Sequence, residues 1–91
     1  MDQEMYNELQ KALFEAILKL DSIDDCKLFF NDLCTNKEME KMAQRVKAAE
    51  LLLEGKTYHQ VIEETEISSA TLSRVSRCVQ YGTGYKSFIK N

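Results

Sequence analysis

The chain contains no proline and only three glycines in 91 residues. Hairpins and tight strand turns depend on those two residues, so their scarcity favours helices joined by short turns. The glycines stand at positions 55, 82 and 84, where they are expected to end helices rather than to bend strands. Between them apolar residues recur at helical spacing, which predicts five to six helices and an all-α fold. The length is that of one domain. A domain this small buries roughly 60–65% of its unfolded surface, so association with a second subunit would help it.

The first predicted helix covers about residues 4–20. Met5, Leu9, Ala12, Ala16 and Leu20 make one stripe, which Leu13 and Ile17 widen and Phe14 and Leu18 extend. A helix apolar over more than half its circumference calls for burial on two sides. With Phe29 and Phe30 nearby in sequence, this points to a homodimer interface. A second helix is expected over about 23–34, capped by Ser22, with Ile23, Cys26, Phe30 and Leu33 on one face. Thr35-Asn36-Lys37-Glu38 has the Thr-x-x-Glu form of a capping box and opens a long helix to about Glu54. Met39, Met42, Ala43, Val46, Ala49 and Leu53 are its expected inner face. The whole is read as a single domain, 1–91. Residues 1–35 supply dimerisation helices, 36–55 a long central helix and 57–81 a helix-turn-helix.

That last segment carries the functional signal. Thr57-Tyr58-His59-Gln60 is a Thr-x-x-Gln capping box, and the short helix behind it, with Tyr58, Val61 and Ile62 as core positions, ends near Thr65. Ser68 caps the next helix, from about Ser69 to Tyr81. Leu72, Val75 and Val79 face inward there, while Ser69, Ala70, Ser73, Arg74 and Arg77 share the opposite side. Two short helices about three residues apart, the second polar and basic outside, describe a helix-turn-helix. In such a motif the second helix lies in the major groove. Small residues early in it approach base edges, and arginines further along reach guanine or phosphate. Ser68 leaves helix N-terminal amides for a phosphate. The expected DNA-binding set is therefore Gln60, His59, Ser68, Ser69, Ala70, Ser73, Arg74 and Arg77.

Charge supports this unevenly. The formal net charge is −3. Residues 1–66 hold all 15 acids against eight basic residues, a net of −7; residues 67–91 hold four basic residues and no acid, a net of +4. Such asymmetry concentrates positive potential at one end whatever the total. Glu63, Glu64 and Glu66 are read as a solvated acidic face that lowers the expected DNA affinity.

Other chemistry is not indicated. Cys26, Cys34 and Cys78 are odd in number and lack CxxC spacing, so they read as free thiols of a reducing cytoplasm, with neither disulfide framework nor zinc. The acidic start, Met1-Asp2-Gln3-Glu4, has no apolar stretch behind it and is not expected to be a signal peptide. No run of 18 apolar residues occurs, so no membrane span is expected. No nucleophile–base pair or phosphate-binding loop stands out, which argues against an enzyme.

From Thr35 to Tyr81 the chain resembles the Trp repressor superfamily, and most its YerC/YecD branch. The residues that carry this are Arg45-Val46-Lys47-Ala48-Ala49-Glu50-Leu51-Leu52-Leu53-Glu54-Gly55 and Ala70-Thr71-Leu72-Ser73-Arg74. The resemblance implies an intertwined all-α homodimer presenting two recognition helices to double-stranded DNA. It also implies a small-molecule effector pocket between the long helix and the recognition helix, at Thr35, Arg45, Arg74, Val75 and Cys78. Val75 replaces a glycine of Trp repressors and Cys78 a serine, so L-tryptophan is not the expected effector. No metal or other cofactor is implied. At Glu66 repressors usually place a glycine with φ > 0, so a strained turn residue is expected there. The function that follows is a sequence-specific, repressor-like regulator of transcription. The alternative is a dimeric adaptor that binds protein and keeps the helix-turn-helix as scaffold.

Overall fold

A computed structural model describes residues 1–89. Among them lie six helices and no strand: α1 (Gln3–Ile17), α2 (Ile23–Leu33), α3 (Asn36–Leu53), α4 (Tyr58–Thr65), α5 (Ser69–Tyr81) and α6 (Gly84–Phe88). They form two compact units, Met1–Thr35 and the chain from Asn36 onward.

The first unit holds α1 and α2. Asp2 caps α1 by accepting the Met5 amide at 2.8 Å. The helix ends at Ile17, three residues short of the sequence expectation. Beyond it the chain tightens, and the Lys19 and Leu20 amides donate to the carbonyls three residues back, Ala16 and Ile17. Such i to i+3 bonds commonly wind down a helix end. Ser22 caps α2 as expected, accepting the Asp25 amide at 3.0 Å. The Asp25 carboxylate in turn accepts the Asp21 amide at 3.1 Å. That backbone bond, aided by Ser22, holds the Asp25 pKa below its ordinary 3.8. Neither helix contains a fully buried residue. Met5, Leu9, Phe14, Leu18, Ile23 and Leu28 are all more than half exposed.

The second unit has the core. Ala48, Ala49 and Leu51 of α3 pack with Val61 of α4, Ile67 of the connection, and Leu72, Val75 and Val79 of α5. The two alanines, both fully buried, have no bulk to hold neighbours away, so α4 and α5 both settle on this stretch of α3. The expected inner face of α3 is therefore corrected. Ala49 is buried and Leu53 packs on the core, but Ala43 is exposed, and Met39 and Val46 are 38% and 44% exposed. The apolar stripe spans the helix, whereas its partners within this unit cover only the C-terminal part. Tyr58 is corrected likewise: it is 45% exposed, because it opens α4 one turn before Val61 and Ile62 reach the core.

Gly55 ends α3 at φ 90°. Its amide donates to Leu52 and that of Lys56 to Leu51, the paired bonds that close a helix on a left-handed residue. The short α6 packs on both α3 and α5.

Candidate nucleic-acid interface

The helix-turn-helix is assembled from local devices. Thr57 and Gln60 form a reciprocal capping box at the start of α4. At its end Glu66 adopts φ 60°, ψ 20° and donates its amide to the Ile62 carbonyl. It is the only non-glycine residue with positive φ among those described. Around it the Thr65 hydroxyl donates to Val61 at 2.7 Å and accepts the Ile67 amide at 3.2 Å. Gln44 of α3 donates its side-chain amide to the Thr65 carbonyl at 3.0 Å, tying the elbow to the long helix. Buried Ile67 pins the connection, and Ser68 then caps α5 by accepting the Thr71 amide at 3.2 Å.

These devices fix which side of α5 meets solvent. Leu72, Val75, Ser76 and Val79 are buried, while Ser69, Ala70, Ser73, Arg74 and Arg77 are all exposed. The Ser69 and Ala70 amides have no acceptor among the described residues, as helix geometry demands of a first turn. Neither Arg74 nor Arg77 is engaged in an ion pair there. Of the remaining expected contacts, Gln60 and His59 lie on α4 and Ser68 is the N-cap of α5. Gln60 is exposed, though its side-chain carbonyl accepts the Thr57 amide at 2.9 Å. His59 is exposed and stands 3.6 Å from the Glu63 carboxylate. Ser68 is exposed, but its hydroxyl donates to Thr71 at 2.9 Å, so α5 geometry already uses it.

A cavity of about 490 Å³ lies behind the arginine side, lined by Arg45, Thr71, Arg74, Val75, Cys78 and Tyr85. Four of the five residues expected at an effector pocket therefore meet here. Thr35, the fifth, is the last residue of the first unit. Val75 lines the space without filling it. Thr71 and Tyr85 were not anticipated. Thr71 sits one turn before Val75 and so shares its side of the helix; Tyr85 belongs to a helix too short to announce itself.

Residues 8–91 match the profile of the Trp repressor protein family. The chain belongs to the Trp repressor family. A Bacillus subtilis protein, YerC, is 50% identical over 70 residues, covering 77% of this chain and 67% of its own. Two crystal structures are similar throughout. A Trp repressor candidate from Staphylococcus aureus has a TM-score of 0.84 at 36% identity, over 94% of this chain and 89% of that one. A TrpR-like protein from Eubacterium eligens has a TM-score of 0.85 at 38% identity, over 93% and 89%. The all-helical, Trp-repressor-like fold expected from the sequence is thus the one adopted. Among the described residues no group of His, Cys, Asp or Glu is arranged to hold a metal, and no helix is long and apolar enough to cross a membrane.

Proposed function

We propose that this Trp repressor family member is a sequence-specific DNA-binding regulator that reads the major groove with α5. The observation that carries the reading is the division of that helix. Ser69, Ala70, Ser73, Arg74 and Arg77 stand exposed together, while Leu72, Val75 and Val79 lock the other side into the core. In the proposed complex Ser69, Ala70 and Ser73 approach base edges, Arg74 reads a base, and Arg77 meets phosphate. The free first-turn amides, with His59 and Gln60 of α4, complete the contact with the backbone.

The protein acts as a homodimer in this reading. The exposed apolar residues of α1 and α2 argue for a covering subunit, since an isolated soluble domain rarely leaves such a surface open. Two copies would present two α5 helices to successive major grooves. Free L-tryptophan is not the effector in this reading, because Val75 adds a side chain where the resemblance places a glycine and the Cys78 thiol is a poor partner for a ligand amino group.

The test is selection from a randomised duplex library followed by a salt series on the winning sequence. A regulator enriches one motif, and its affinity falls steeply with salt because phosphate contacts release counterions. The exposed Glu63, Glu64 and Glu66 support a second reading, a protein-binding adaptor. No enrichment and no salt-dependent DNA binding would favour it.

A further inference from the structure

We propose that Tyr85 is a positioning residue for DNA recognition, bridging α3 and α5 so that the recognition helix is held at a fixed angle. The inference rests on the reading of α5 as the DNA-contacting helix.

The α5 helix is seated unevenly. On one side Leu72 and Val79 share a close-packed core with the alanines of α3. On the side of Arg74 and Cys78, α5 and Arg45 of α3 border the 490 Å³ cavity instead. That side of α5 lacks the close protein packing of the other, so a side chain that bridges α3 and α5 there adds restraint on the helix angle. Among the described residues Tyr85 is the one that lines that cavity from outside α3 and α5. It is half-buried and packs against the hydrophobic core, and its helix contacts both α3 and α5.

The chain is built to deliver this ring. A Cβ on Gly82 would lie 2.7 Å from the Cys78 carbonyl oxygen, so the turn leaving α5 accepts no side chain without shifting. Two residues on, α6 begins, and the Lys86 ammonium donates to the Gln80 carbonyl at 3.0 Å, tying α6 back to the last turn of α5. Tyr85 lies between these two restraints. It lines the cavity wall together with Arg74 and belongs to α6, outside the exposed set of α5.

A tilted recognition helix binds DNA only in the fraction of molecules that hold the right angle, and the apparent Kd rises by the inverse of that fraction. If loss of the ring leaves about one molecule in ten competent, affinity falls about tenfold. The salt slope stays as in the wild type, because no phosphate contact is lost.

The experiment compares Tyr85→Ala, Tyr85→Phe and wild type by amide hydrogen exchange and by fluorescence anisotropy with duplex DNA, below any melting transition. The expected result for Tyr85→Ala is faster exchange at Arg77–Tyr81 with unchanged protection at Ala48 and Ala49, and about tenfold weaker binding at an unchanged salt slope. Tyr85→Phe restores both. Should Tyr85→Ala fail to fold, Gly82→Ala, which displaces α6 while keeping the ring, is expected to give the same exchange pattern. Unchanged exchange in α5, or faster exchange with wild-type affinity, overturns the proposal. A wild type that binds no DNA refutes the functional reading instead, and the exchange pattern still decides whether Tyr85 restrains α5.

Discussion

Glu66 is the sharpest handle on the elbow between α4 and α5. An L-residue in the left-handed region costs about 1–2 kcal/mol, and Glu66 sits there at φ 60°, ψ 20°. Glycine relieves that cost but gains freedom in the unfolded chain, which takes back about 0.4–1 kcal/mol. Glu66→Gly also removes an acid from the C-terminal end of α4, where the helix dipole disfavours it by about 0.3–1 kcal/mol. Glu66→Ala removes the same charge and keeps the Cβ, so the difference between the two variants isolates the backbone. The expected difference is about 1 kcal/mol in favour of glycine, or about 4–8 °C in Tm for a domain of this size. The sign is diagnostic, because inside a regular helix glycine is instead worse than alanine by about 0.5–1 kcal/mol. Thermal unfolding by circular dichroism, at one fixed protein concentration because dimerisation would shift Tm, measures it. A Glu66→Gly variant melting at or below Glu66→Ala would refute the reasoning.

The other expectations concern charge, assembly and ligand. Arg77→Ala lowers affinity similarly on all duplexes and reduces the salt slope by roughly one unit, whereas Arg74→Ala costs roughly 1–3 kcal/mol and relaxes preference at one base position; parallel binding titrations check both. Sedimentation equilibrium at micromolar concentration is expected to return a dimer, and a monomer would leave the exposed α1 and α2 residues without a cover. Because its bond from Asp21 holds the Asp25 pKa below 3.8, Asp25 adds stability above the ordinary carboxylate range, and that contribution is lost as pH falls through its lowered folded-state value. Acid titrations of wild type and Asp25→Asn should therefore diverge at neutral pH and converge in acid. Calorimetry with L-tryptophan is expected to show no micromolar binding, with Val75→Gly plus Cys78→Ser as the change that restores it.

The helix-turn-helix was legible because its signals are local. Thr57, Gln60 and Ser68 each satisfy amides within three residues of themselves, so spacing alone reveals them. The strain at Glu66 was legible only through the family resemblance, since nothing in Thr-Glu-Ile itself demands a left-handed residue. The inner face of α3 was misread for a different reason. Its apolar residues run past any single stripe, and which of them are covered depends on where α4 and α5 land. Ala48 escaped notice because burial of a methyl group follows from close helix approach, not from hydrophobicity. The place of α6 and the role of Tyr85 were not legible, because five residues cannot establish a helical period.

A net charge of −3 says little about a surface, because charges separated by more than about 8 Å are largely screened at physiological ionic strength. Glu66 stands at the elbow three residues before Ser69, and Glu63 and Glu64 precede it in the last turn of α4, whereas Arg77 lies eight residues beyond Ser69, about 12 Å along the helix at 1.5 Å per residue. The acids of α4 therefore weigh most on the first turn, where bases are approached by Ser69 and Ala70, and least on Arg77. Neutralising them should help binding most at low salt, where screening is weakest. Glu63→Gln with Glu64→Gln is expected to raise DNA affinity at low ionic strength and to converge on wild type as salt increases. A gain that persists at high salt would mean that these carboxylates act by direct contact with the duplex rather than through the field they set.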